Sequence, residues 1–169
     1  MNDDFSLLNG LKYLSAFFLC LLLILLNAVP AYPLIGFMHA IPVALIVIFY
    51  FAIFNPHMLN GTAVFLLAVL ADLLIQGPFG LLIISYVLMF FIGNFLRSYL
   101  FNLTFFKLWM VFGVCICLVE GLQYMLFCLS VGEWMSVFPN LLTCFVLILI
   151  YPFIMRLCAA LSVYVREDV

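Results

Sequence analysis

Two carboxylates stand alone in long apolar surroundings, and of all the residues in this chain they are the best placed to do chemistry. Asp72 is the only formally charged residue between Lys12 and Arg97, and Glu120 lies midway along the apolar run Leu108 to Leu129. A charged side chain at the centre of a bilayer costs ~2.5–3.5 kcal/mol on insertion scales, so an acid held there either pairs with something or serves as a functional group. For Asp72 two readings stand side by side. It is a binding or coupling residue within a helix bundle, or it is an N-cap-like partner that pins the nearby turn Gln76–Gly80 or the start of the next helix. Glu120 has no loop close by, so it is expected to face the bundle, hydrogen-bonded or protonated.

Gly113, Cys117 and Gly121 repeat small residues every four positions on a face adjacent to Glu120. Such faces let helix backbones approach closely, so tight packing is expected around Glu120, within the chain or between subunits. His39 and His57 share no metal-ligand spacing. The six cysteines include no Cys-x-x-Cys pair, and Cys115 and Cys117 fall on nearly opposite helix faces. All six are therefore expected to be small apolar packing residues. No Ser/His/Asp set, glycine-rich phosphate loop or carboxylate pair stands out, so neither catalysis, a metal nor a cofactor is expected.

The elements that carry these residues must live in lipid. Charged residues make up 7% of the 169-residue chain and apolar residues 70%, against ~25% and ~50% in soluble domains. A crossing helix needs ~20 apolar residues. Five or six crossings would occupy nearly all of residues 1–169 as a single transmembrane domain, with no room for a soluble catalytic or nucleotide-binding module. No basic patch tracks phosphates, so nucleic acid is not an expected partner, whereas membrane lipid is.

Breaks at Asn27/Pro30/Pro33, Asn55-Pro56-His57, Gln76–Gly80, Asn102–Lys107 and Ser130–Pro139 predict six spans. These run Leu11 to Val29, Leu34 to Phe54 (with its firm part from Val43), Thr62 to Ile75, Leu81 to Phe101, Leu108 to Leu129 and Asn140 to Ala160. The first is expected to be an uncleaved helix rather than a signal peptide. With six crossings, Lys12, Arg97, Lys107, Arg156 and Arg166 share one side and the opposite loops carry no Lys or Arg. Positive charge stays in the cytoplasm on insertion, so both termini are expected inside. Trp109 and Trp134 are expected at the interfaces.

The middle of the chain carries a more specific pattern. Asn55-Pro56-His57 leads to Gly61-Thr62-Ala63 and Phe65, then to Ala71-Asp72-Leu73-Leu74-Ile75-Gln76-Gly77-Pro78-Phe79-Gly80-Leu81. This resembles the signature of the rod shape-determining protein MreD family, a Pro-containing loop, a Gly-initiated helix ending in Asp and a Gly-x-x-Gly turn. Tyr151-Pro152-Phe153 with Arg156 is similar to that family's closing helix, and Ala68 and Ala71 stand where it often has Gly. The resemblance implies a multi-pass, non-enzymatic subunit of the bacterial inner membrane. Its role would be to maintain rod shape by docking the transmembrane helix of MreC and, with MreB, RodA and a class B penicillin-binding protein, to direct peptidoglycan synthesis. It also implies a fold similar to the six-helix substrate-binding subunits of energy-coupling-factor vitamin transporters, which is the alternative function. Asp72, Gly77, Gly80, Glu120, Gly113, Cys117 and Gly121 are then the candidate packing or partner contacts. A third class, an intramembrane enzyme using Asp72 or Glu120 as acid or base, lacks a second catalytic group on a neighbouring turn.

Overall fold

The computed structural model describes residues 17–25, 41–74, 78–100, 104–132 and 136–167, with side chains up to residue 160. Every regular element among them is helical. Helix α1 covers 17–25, α2 Ala44–Phe54, α3 Gly61–Leu74, α4 Leu81–Leu100, α5 Phe105–Val131 and α6 Phe138–Glu167. Three segments, Leu81–Leu100, Phe105–Val131 and Phe138–Ala160, are long and apolar enough to cross a membrane. With 11 and 14 residues, α2 and α3 fall short of that length. For α2 this matches the firm part expected from Val43, and residues 34–40 lie outside the described chain.

The helix boundaries follow from local chemistry. Helix α2 begins just after Pro42, whose missing N–H costs nothing there, and ends at Asn55 because the following Pro56 disfavours helical backbone before it. Helix α5 ends on Gly132, at φ 77°, whose N–H bonds the Cys128 carbonyl at 2.9 Å. A left-handed cap of this kind suits glycine. Among the described residues only Gly80 shares such a backbone, at φ 99°.

Helix α2 is the pillar of the bundle. Every residue from Ala44 to Ile53 is buried, the behaviour of a helix that is apolar all round. It packs against α4 and α6; α3 packs on α4, α4 on α5 and α5 on α6. The contact with α4 is close because Gly93 has no side chain: a Cβ there would sit 2.8 Å from that of Ala52. Phe49 of α2 meets Phe112 of α5 at 5.3 Å between ring centroids, and Phe112 stacks on Tyr151 of α6 at 4.3 Å. Aromatic pairs of this type contribute ~0.5–1.5 kcal/mol beyond the area they bury.

Adjacent helices run antiparallel. Ser85 of α4 lies beside Gln123 of α5, and Glu120 and Trp109 of α5 lie beside Asn140 and Ile148 of α6. Arg97 in the last turn of α4, Lys107 in the first turn of α5 and Arg156 in α6 thereby gather toward one end of the bundle. Asp72 and the Gly80 turn lie at the other. The outer faces of α4, α5 and α6 are apolar and uncovered; Phe95 is 80% exposed, Leu129 77% and Phe153 73%.

Helix α6 contains Pro152. Proline lacks the N–H that would have bonded the carbonyl four residues earlier, at Ile148. The indole N–H of Trp109 donates to that carbonyl at 2.9 Å. A buried backbone acceptor left open costs ~1–3 kcal/mol, so the bond both satisfies α6 and fastens it to α5. Trp109 is thus engaged with a neighbouring helix as well as standing near a helix end, and Trp134 lies outside the described residues.

Candidate functional site

The carboxylate of Asp72 accepts hydrogen bonds from the N–H groups of Gly80 and Leu82, the latter at 3.2 Å. The sequence around it explains why. Gly80 is the N-cap of α4, since its carbonyl takes the first helical bond, from Ile84 at 3.0 Å. An N-cap side chain ordinarily holds one of the free donors of the first turn. The positive φ at Gly80 favours glycine, which has no capping side chain, and the task passes to Asp72, one helix back. Asp72 is 7% exposed. Of the two sequence readings, the capping arrangement is the one displayed, and it includes Gly80 as a partner. Gly77 lies outside the described residues.

Glu120 occupies different surroundings. It is 3% exposed, and its Oε1 has no hydrogen-bond partner among the described residues. Its backbone carbonyl accepts from Asn140 Nδ2 at 3.1 Å, which brings the first turn of α6 beside it. One turn further along α5, Gln123 Oε1 accepts from the hydroxyl of Ser85 at 3.0 Å, a hydroxyl also 2.9 Å from the Leu81 carbonyl. Thr143 donates to the Pro139 carbonyl at 3.0 Å. Tyr86 and Cys144 lie within electrostatic range of Glu120. The result is a polar cluster shared by α4, α5 and α6, with an acceptor oxygen to spare. A buried polar atom left without a partner costs ~1–3 kcal/mol, a cost that a donor from outside the chain would remove.

The small residues of α5 divide between two surroundings. A Cβ on Gly113 would meet Ile148 of α6 at 3.7 Å, and Cys117, though itself exposed, interacts with Cys144, so this part of the stripe borders α6. Gly121 has open space where a Cβ would go. Cys20, Cys115, Cys128, Cys144 and Cys158 are buried and Cys117 is exposed, all six as free thiols. His57 is exposed in the turn after α2, and His39 lies outside the described residues. Among the described residues no group of three His, Cys, Asp or Glu converges.

The structure does not bring Asp72 and Glu120 together through any hydrogen bond, and the Asp72 carboxylate is already committed to Gly80 and Leu82. Sequence reasoning did not single out Ser85, Gln123, Asn140 or Thr143, and it named Tyr151 only within the Tyr-Pro-Phe segment, not for its buried hydroxyl, which also lacks a partner among the described residues. One signal was present for Gln123: it follows Glu120 by three residues, which places both on one helix face. Asn140 and Ser85 sit near the ends of their spans, where polar residues are ordinary and carry no such mark. Comparison with protein-family models, with curated proteins and with solved structures gives no match to this chain.

Proposed function

We propose that this chain is a multi-pass protein of the bacterial cytoplasmic membrane, with both termini inside, and that it works without catalysis as a docking subunit of the cell-elongation machinery, as the resemblance to the MreD family implies. The single observation that carries this reading is the Asp72–Gly80 joint. The two residues at the heart of the resemblance serve to fix the angle between α3 and α4, a service to shape rather than to reaction chemistry. The Tyr-Pro-Phe segment works in the same way, since Pro152 frees the carbonyl that Trp109 holds. Exposed apolar faces on α4, α5 and α6 supply surface for lipid and for partner helices such as that of MreC. MreB, RodA and a class B penicillin-binding protein are the further partners in this proposal.

Affinity isolation of the full chain from native membranes tests it. Recovery of wall-synthesis proteins is expected, together with rounding of the cells when the chain is depleted. Rods that persist after depletion, and isolates free of those proteins, would refute it.

The polar cluster favours one second reading, a substrate-binding membrane subunit of an energy-coupling-factor type vitamin transporter. Ser85, Glu120, Gln123 and Asn140 are the kind of convergent polar groups that orient a small ligand. Co-isolation of paired ATPases, and a small molecule released from the purified chain and identified by mass spectrometry, would decide for it.

A further inference from the structure

The outer surface of the bundle carries a groove of about 700 Å³ between α4 and α5, walled by Phe91, Phe95 and Leu96 on one side and Met110, Val114 and Leu118 on the other. None of these side chains ends in a polar group, so within the groove only apolar chains would be at home. Its lower end is different. Lys107 precedes Met110, Val114 and Leu118 by three, seven and eleven residues, the spacing of one helix face, and so continues the α5 wall toward the cationic end of the bundle. Tyr99 follows Leu96 and Phe95 by three and four residues and continues the α4 wall in the same direction; it is 73% exposed.

Lys107 is exposed; of the carboxylates whose side chains are described, Asp72 lies at the opposite end of the bundle and Glu120 thirteen residues further along α5. The N-terminus of α5 opens at the same place. Thr104 is its N-cap without a side-chain cap bond, and the first helical bond is made only by Leu108, so the N–H groups of Phe105, Phe106 and Lys107 have no acceptor within the helix. A cation, a phenolic hydroxyl and a helix N-terminus thus meet where an apolar groove ends, and all three favour an anion with oxygen acceptors.

We infer that this groove binds an anionic phospholipid of the leaflet at the Lys107 end, with acyl chain between α4 and α5 and the headgroup phosphate on Lys107, Tyr99 and the first turn of α5. A partner helix would satisfy the apolar walls but would leave the Lys107 ammonium without its anion. A zwitterionic lipid would fill the groove but carries its own counter-charge, which weakens the hold.

The test uses the full chain in phosphatidylcholine vesicles, with spin-labelled phosphatidylglycerol or spin-labelled phosphatidylcholine as the probe. Electron spin resonance reports the fraction of each probe immobilised on the protein. The anionic probe is expected to associate about five-fold more strongly, the factor one lysine near an anionic surface supplies. Lys107→Gln should bring that ratio near one, and Tyr99→Phe should lower it by a smaller amount. Arg156→Gln, toward the same end but outside the groove, should leave it unchanged. Val114→Trp, which fills the groove, should reduce immobilisation of both probes. Equal association of the two lipids with the parent chain would overturn the inference. So would an Arg156→Gln loss equal to that of Lys107→Gln, which would mean diffuse attraction rather than a site. A Val114→Cys chain that cross-links in native membranes chiefly to another protein would assign the groove to a helix instead.

Discussion

The α3–α4 joint and the Glu120 cluster each take one carboxylate out of water, and they treat it in opposite ways. Asp72 accepts from two backbone donors at the mouth of α4, and the break at Pro152 is closed likewise by Trp109. Glu120 keeps an oxygen without a partner among the described residues, and the Tyr151 hydroxyl in the middle of the bundle does the same. At the start of α4 and at the Pro152 break of α6, this chain recaptures polar groups that the geometry releases. Between the helices it tolerates vacancies. Joints of the first kind set shape, while vacancies of the second kind are where an outside donor would find a place.

The contrast can be broken by substitution. Asp72→Ala removes the acceptor of two bonds and leaves the half-buried Gly80 and buried Leu82 N–H groups open, so it should cost about 3 kcal/mol in unfolding measured in detergent micelles. Asp72→Asn keeps one acceptor oxygen and should cost about half as much. Gly93→Ala tests the rigidity that the joints assume: a methyl 2.8 Å from Ala52 forces α2 and α4 apart, at about 1–3 kcal/mol. Trp109→Phe should cost about 1 kcal/mol in the parent chain and less in a Pro152→Ala background, where residue 152 regains an N–H for Ile148. A double-mutant cycle that found the two changes additive would separate the indole from the proline and remove the second joint. The smallest effect belongs to Glu120→Met, which exchanges an unpaired polar group for an apolar one of similar length and should be neutral or stabilising by up to ~1 kcal/mol. Should it cost as much as Asp72→Ala, the two regions are alike after all. A Glu120→Met chain that folds like the parent yet loses the proteins co-isolated with the parent chain would mark the spare oxygen as a partner contact.

The long helices were legible because apolar runs and turn residues mark them directly. Helix α4 begins at Leu81 and α3 ends at Leu74, within one residue of the boundaries that Gly61 and the turn before Leu81 suggest. The capping role of Asp72 was legible as one of two readings, since the turn lies so close. The full enclosure of α2 was not, because hydropathy responds alike to lipid and to protein interior, and a helix apolar on every face offers no periodicity to say which it meets. The bond from Trp109 to Ile148 was hidden for a related reason: 39 residues separate the partners, and nothing in either local sequence names the other.

The pillar Ala44–Phe54 spans about 16 Å at 1.5 Å per residue, roughly half of a 30 Å hydrocarbon layer. A segment so short is a poor stop for the insertion machinery when it emerges alone from the ribosome. Helices α2 and α3 each pack on α4 rather than on one another, so each finds its cover only once α4 stands beside it. A chain interrupted before Leu81 would leave the pillar without α4 and α6, the two helices that enclose it.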